Sequence, residues 1–379
     1  MFSPFSPVDI RILSRKTALP VLETFLEGKD GLCVLATEKM LSRLNLGTFV
    51  KGLLNRHNGV WLKNIPANPT VKDVCHALSA LAGRQLCTIL AIGGGSAIDL
   101  GKAIAALHEQ IQENSLTEDV IRQAIIEKKY ATSVHCPAVI AVPTTAGTGS
   151  EVTRWATVWD PDRQQKLSVD NTGLFPKAAV IVPEFTMTMG PELTLSTGLD
   201  ALSHAMEAYW ANGRTPLSQA LALSAVEKIK CFLPAAVLPE NKENEAIRKE
   251  MCIGAVLAGL AFSITRTTAC HAISYPLTML HGLAHGFATA MTLPAVMKRN
   301  ATVLPEMQNL SALFDADGGI DTWLYQAASA VTPLRLSSFG VKEEDISAIA
   351  DLSFTAGRMD NNPIVFDRQQ VLDILEECL

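Results

Sequence analysis

Through the first half of the chain, short unbroken apolar runs alternate with longer stretches in which apolar positions recur every three or four residues. Residues 31–37 (GLCVLAT), 88–92 (TILAI) and 137–142 (PAVIAV) have strand length and no polar face, the pattern of strands buried on both sides. Residues 59–62 predict a shorter strand. Residues 38–55, 71–82 and 96–110 carry the helical period between these runs. Such alternation predicts βαβ units and a parallel sheet. From about Pro183 the pattern changes to long helical periods, over 191–211, 216–232, 243–263 and 286–299. On pattern alone the chain divides into an α/β domain over residues 1–183 and an all-α domain over 184–379.

Length and composition narrow the function classes. A chain of 379 residues is long enough for two domains with sizeable cores. A formal net charge of −6 argues against a nucleic-acid partner, which calls for a basic field. The eight cysteines show no CxxC or zinc-finger spacing and mostly sit in apolar runs, the pattern of reduced core thiols. The start, MFSPFSPVDI, lacks the charged and apolar segments of a signal peptide, and Gly, Pro or polar residues interrupt every apolar stretch before spanning length. The expectation is a soluble cytoplasmic protein with no membrane partner.

Two glycine loops follow predicted strands. In GGGSAIDLGK, Gly93, Gly94 and Gly95 let backbone approach a ligand closely, and Ser96 opens a helix whose free N–H groups attract anions. In PTTAGTGSEVT, Thr144, Thr145, Thr148 and Ser150 offer hydroxyls beside Gly147 and Gly149. Two such loops in one domain predict a pyrophosphate held from two sides, although neither is a GxGxxG fingerprint or a Walker A sequence. Glu38, directly after the first apolar run, is placed to accept hydrogen bonds from a ribose and to repel a 2′-phosphate. It equally fits a first-turn glutamate favoured by the helix dipole.

Metal-ligating residues gather in the second half. Asp200 and His204 stand at i and i+4, on one helix face, and His271, His281 and His285 follow. A carboxylate with imidazoles suits Fe2+, Zn2+ or a similar divalent ion. Spacing alone leaves open which of the later histidines are ligands.

These motifs, with TGLDALSHAMEAY at 197–209, HGFATAMTLP at 285–294, NPT at 68–70 and NNP at 361–363, resemble the iron-containing (group III) alcohol dehydrogenases in order and spacing. The resemblance implies an N-terminal dinucleotide-binding domain with a parallel sheet and a helical C-terminal domain, with the active site in the cleft between them. It implies reduction of aldehydes or oxidation of primary alcohols with NAD(H) or NADP(H), one divalent metal with Fe2+ ahead of Zn2+ or Mn2+, and a homodimer. Carried over by position, the metal ligands fall on Asp200, His204, His271 and His285, since only the HG at His285 continues into ATAMTLP. The cofactor-binding positions fall on Asn68, Asp99 and Lys166 together with the two loops, and Glu38 points to NADH.

The chain departs from the family pattern where a histidine is common one helical turn after the third ligand. Tyr275 stands there, with a reference pKa of about 10 that makes it a poorer neutral-pH proton relay. His281 is the candidate for the missing imidazole. The run SITRTTACHAISYP brings Arg266, Thr267 and Thr268 just before His271, with a fork suited to a phosphonate, sulfonate or carboxylate. Arg154 is a second candidate for the anionic end. This run resembles the branch that reduces phosphonoacetaldehyde or sulfoacetaldehyde, and a single clear arginine leans toward the monoanionic sulfonate. A general short-chain alcohol dehydrogenase, a lyase resembling dehydroquinate synthase and a nucleotide-binding protein are the alternatives.

Overall fold

The computed structural model describes residues 7–109, 116–132, 136–163, 165–354 and 357–379. The chain forms two compact units. One runs up to Thr145 and continues over Ser150–Thr188, and the other comprises Ala146–Gly149 and Met189–Leu379.

In the first unit a six-stranded, wholly parallel sheet runs β1 (Asp9–Ile12), β8 (Ala178–Ile181), β5 (Ala138–Pro143), β4 (Thr88–Gly93), β2 (Leu32–Leu35) and β3 (Val60–Leu62). Alternate residues of the central strands feed two cores. Leu35, Ile89, Ala91, Val139 and Ala141 lie in one, and Val34, Leu90, Ile92, Ile140 and Val142 lie in the other. A sheet buried on both faces is why these strands read as unbroken apolar runs. The helices are α1 (Arg15–Leu26), α2 (Glu38–Arg43), α3 (Gly47–Arg56), α4 (Val71–Ala80), α5 (Gly95–Leu107) and α6 (Glu118–Ile126). An antiparallel hairpin, β6 (Trp155–Asp160) with β7 (Gln165–Asp170), completes the unit.

The expected parallel α/β sheet is present, with differences of detail. The helix predicted over 38–55 is two helices, because Asn45 adopts φ 50, a left-handed position that asparagine tolerates. The end of the helix predicted over 96–110 lies outside the described residues at position 110; the helix itself ends at Leu107. Strands β1, β6, β7 and β8 were not marked by the apolar pattern; in β7 buried and exposed positions mix, so no apolar run forms.

The sheet positions the site. Strand order reverses between β2 and β4, which lie side by side with Leu35 opposite Ala91. Ligands of open α/β sheets bind beyond the carboxyl ends of strands at such a switch point. Glu38 follows β2, and the GGGS loop follows β4, so both belong to that edge.

In the second unit every element is helical among the described residues: α7 (Pro191–Trp210), α8 (Pro216–Ala236), α9 (Glu245–Thr265), α10 (Ala269–His281), α11 (His285–Ala290), α12 (Leu293–Asn300), α13 (Met307–Ser311), α14 (Ile320–Ala328), α15 (Glu343–Leu352) and α16 (Arg368–Glu377), with short 3-10 turns. The helix predicted over 286–299 is broken before Pro294, which sits in the first turn of α12 where its missing N–H costs nothing. Helix α7 is a core helix, buried at every residue from Gly198 to Trp210, and it packs on α8, α9 and α11. No single helix among the described residues is long and apolar enough to cross a membrane.

Candidate metal centre and active site

Asp200 and His204 project from one face of α7, as their spacing requires, and α10 and α11 bring His271 and His285 to the same place. The Nε2 atoms of His271, His204 and His285 lie 3.6, 3.9 and 3.9 Å from Asp200 Oδ1. The donor atoms of Asp200, His204 and His271 all lie within 4.8 Å of one another, and His285 approaches this group through Asp200. Donors of a tetrahedral site with bonds of about 2.0–2.2 Å stand roughly 3.4 Å apart, so the three leave room for one ion of that class. Asp200 Oδ1 and His271 Nε2 are buried and make no hydrogen bond. Each such orphan costs about 1–3 kcal/mol, and a shared cation removes both costs. The residues fit the divalent metal that the donor set calls for.

Each ring is held by its surroundings. His204 stacks on Phe262 of α9 at 4.1 Å and on His271 at 4.6 Å. The Ser274 hydroxyl donates to the His271 carbonyl oxygen at 2.8 Å and lies 3.4 Å from His285 Nδ1, which donates to it and leaves Nε2 facing Asp200. His285 begins α11, and Gly286 after it lets that helix lie on the α7 backbone. Tyr275 lies parallel to the His285 ring at 6.0 Å.

Sequence reading missed Glu207, which is fully buried on α7. Its Oε1 accepts from Thr268 N at 3.1 Å, Thr268 Oγ1 at 2.8 Å, Cys270 N at 2.8 Å and His271 N at 3.3 Å, and its Oε2 meets His271 Nδ1. The signal was present as i+3 from His204, but nothing local says that the position is buried. Burial opposes ionisation of Asp200, yet His204, His271 and His285 outweigh it and hold the carboxyl well below the usual range. Burial takes His204 down to about 4. Burial also works against a charge on His271, but Glu207 and Asp200 outweigh it and push that ring up to about 9.

The dinucleotide candidates of the first unit also assemble. Gly94 caps α5, and a Cβ there would sit 3.3 Å from the Thr145 side chain, so the two glycine loops adjoin. Asn68, at φ 53, donates its N–H to Ser96 Oγ at 3.2 Å. Thr144 Oγ1 is buried with no hydrogen bond. Asp99 accepts from the Ser150 hydroxyl and, at 3.0 Å, from Thr157 N. Lys102, unmarked in the sequence, is fully buried and donates to Ser150 Oγ at 3.1 Å, Thr153 Oγ1 at 3.3 Å and Trp155 O at 2.9 Å. It ties the helix after the first loop to the end of the second.

Gly147 and Gly149 serve packing. A Cβ at Gly147 would lie 2.4 Å from Thr197 O, and one at Gly149, where φ is +62, would lie 2.7 Å from Gly259 Cα. Thr148, between them, belongs to the same helical unit. Glu38 is exposed and pairs with Lys63 at 2.6 Å. Lys166 lies over the Trp159 ring at 5.7 Å.

The anion candidates separate. Arg154 donates to Asp170 at 2.8 Å, an ion pair that engages its guanidinium within the first unit. The Thr268 hydroxyl is fully buried between Glu207 and Trp210 Nε1, so its hydrogen-bonding capacity is used within the fold and not toward a substrate. Thr267 is nearly buried, and its carbonyl accepts from Asn361 Nδ2 at 3.0 Å. Arg266 is half-buried and ends α9 at φ 64, ψ 178, a region other residues leave to glycine. Asn361 holds it there by also bonding the Thr265 carbonyl at 2.8 Å.

Arg266 Nη1 points to Gly357, 3.4 Å from where a Cβ would be. Arg358, which the sequence reading passed over, donates Nη1 to Gly357 O at 3.0 Å and Nε to the Tyr275 hydroxyl at 3.3 Å. His281, six residues after Tyr275 on α10, lies about 120° around that helix. It occupies the last turn, where a histidine complements the helix dipole.

Two family models match successive parts of the chain. A family model described as iron-containing alcohol dehydrogenase matches residues 10–183, and one described as the C-terminal part of the Fe-containing alcohol dehydrogenase family matches residues 194–379. EutG, a probable alcohol dehydrogenase of Salmonella typhimurium, is 34% identical over 318 residues, covering 82% of this chain and 77% of that protein. An iron-containing alcohol dehydrogenase of Thermotoga maritima matches 100% of this chain and 99% of its own, with a TM-score of 0.83 and 29% identity. The sulfoacetaldehyde reductase of Bifidobacterium kashiwanohense, solved with NAD+, matches 100% of this chain and 98% of its own, with a TM-score of 0.84 and 26% identity.

Proposed function

The chain belongs to the iron-containing alcohol dehydrogenase family, and on that footing we propose that it reduces a small anionic aldehyde, sulfoacetaldehyde or phosphonoacetaldehyde, to isethionate or 2-hydroxyethylphosphonate with NADH. The observation that carries this substrate class is Arg266, kept in a glycine-type backbone conformation beside Gly357, where the Arg358 guanidinium also ends. Backbone strain of this kind costs about 1–3 kcal/mol and persists where the side chain has a use.

When bound, the divalent ion supplies a Lewis acid for the carbonyl oxygen and the dinucleotide supplies the hydride. Asp200, His204, His271 and His285 hold the ion. The N–H groups that open α5, with Gly93–Ser96 and the Thr144–Thr145 hydroxyls, hold the pyrophosphate. Arg266 and Arg358 bind the tetrahedral anion through forked, charge-assisted bonds. Arg358 Nε donates to the Tyr275 oxygen, which orients that hydroxyl, and Tyr275 gives its proton to the product oxygen. Tyr275 takes the relay role in preference to His281.

The second guanidinium removes the ground for preferring a sulfonate. Two cations side by side accommodate the phosphonate dianion as well as the monoanion. A general short-chain alcohol dehydrogenase is the competing reading, supported by EutG. A panel of aldehydes followed by NADH absorbance separates the two. Under the proposal Arg266→Ala raises KM for both anionic aldehydes by roughly 10- to 100-fold, the worth of hydrogen bonds to a charged group, and leaves propanal nearly unchanged. Equal losses on charged and uncharged aldehydes would overturn it.

A further inference from the structure

Glu207 does two jobs with its two oxygens. Oε1 closes the N-terminus of α10: the amides of Thr268, Cys270 and His271 and the Thr268 hydroxyl all donate to it. The residue at the cap position, Thr268, makes no side-chain cap of its own, so the open end of α10 is satisfied by a carboxylate from α7. Oε2 receives His271 Nδ1. A carboxylate that already accepts from three amides can only accept from the ring as well, so Nδ1 carries the proton. When the ring is neutral, as a ligand must be, Nε2 is the atom with a lone pair, and it is the one 3.6 Å from Asp200 Oδ1. One side chain therefore sets the tautomer of His271, the orientation of its ring and the position of the helix that carries it.

Charge adds a second consequence. The buried cluster contains two carboxylates, Asp200 and Glu207, and its imidazoles are neutral when they ligate. A single divalent ion balances them. A monovalent or trivalent ion leaves net charge beside the buried Asp200 and Glu207, which is unfavourable. Glu207 is thus the source of the second negative charge without occupying a ligand position.

We propose that Glu207 is the positioning residue of the metal centre, fixing His271 as the Nδ1–H tautomer and completing the charge for one divalent cation. The inference rests on the reading that Asp200 and the three histidines hold such an ion. Metal-stripped protein titrated with Zn2+ or Co2+ tests both and keeps them apart. Wild-type protein should bind one equivalent; failure to bind would remove the metal reading and this inference with it.

Glu207→Gln keeps the size and, through its amide oxygen, the acceptor for α10. Its NH2 then faces Nδ1 and drives the His271 proton onto Nε2. The variant should melt close to wild type as apoprotein, bind the ion roughly 10- to 100-fold more weakly, and show an altered visible spectrum with Co2+. Thr268→Val removes one donor to Oε1 without touching the ring, so it should lower the melting temperature and leave metal affinity unchanged. Wild-type affinity in Glu207→Gln, or equal affinity losses in both variants, would overturn the proposal. The tautomer is also read without any variant: nitrogen NMR of Zn2+-loaded wild-type protein should show His271 protonated at Nδ1, and ligation through Nδ1 would overturn the proposal even if Glu207→Gln does not fold.

Discussion

Gly286 lies so close to Ser196 that a Cβ on it would sit 1.7 Å from the Ser196 carbonyl oxygen. This contact lets the first turn of α11 rest on α7 one turn before Asp200, and it is what brings His285 Nε2 within 3.9 Å of Asp200. Gly286→Ala meets rigid backbone, so α11 must move away. The expected outcome is a folded protein, destabilised by about 1–3 kcal/mol, with kcat/KM down roughly a hundredfold through displacement of His285. Metal content measured alongside activity checks this, since a variant with full metal and full turnover would contradict it.

Arg266 offers a test of backbone strain separate from substrate binding. Glycine and alanine at this position both delete the guanidinium, but only glycine is at ease at φ 64, ψ 178. Arg266→Gly should therefore be more stable to urea than Arg266→Ala by roughly 1 kcal/mol or more, with the same loss on anionic aldehydes. Identical denaturation midpoints would show that the conformation carries no cost.

Lys102 makes stability depend on pH in the alkaline range. Burial pushes its ammonium down to about 8 from the ordinary 10.5. Between those values the unfolded chain binds the proton that the folded one has released, so stability from this group rises with pH across that window. Below about pH 8 both states are charged, and the folded state bears the full desolvation cost. Wild type should gain urea resistance relative to Lys102→Met between pH 8 and pH 10.5. Parallel midpoints for the two proteins across that window would rule this out.

Glu38 and Lys63 bear on the choice of dinucleotide. Their pairing at 2.6 Å leaves a cation next to the carboxylate expected to repel a 2′-phosphate. Glu38→Gln removes the repulsion and leaves Lys63 for the phosphate, so the NADPH to NADH preference should rise a few-fold, the scale of an exposed charge pair. The ratio of kcat/KM values is the measurement, and an unchanged ratio would take Glu38 out of cofactor choice.

What could be read from the sequence was what depends on neighbours along the chain. Asp200 and His204 share a face because a helix turns every 3.6 residues. The GGGS loop follows a strand because TILAI is an unbroken apolar run ahead of it. The buried strands declared themselves because both faces of the sheet are covered, which removes polar residues from them.

Tertiary structure decided the rest, because burial and partners come from residues far apart in sequence. Glu207 looks like any helix glutamate until α10, more than sixty positions on, sets its open end against it. Thr268 reads as a donor for substrate, and folding spends its hydroxyl on Glu207 and Trp210. Arg358 gains its place only when the chain returns to Tyr275 from 83 residues away. His281 and Tyr275 are close in sequence yet turned apart by the helix that carries both. Local spacing chose which side chains could act together; long-range packing, by excluding water and fixing the helices, chose which of them do.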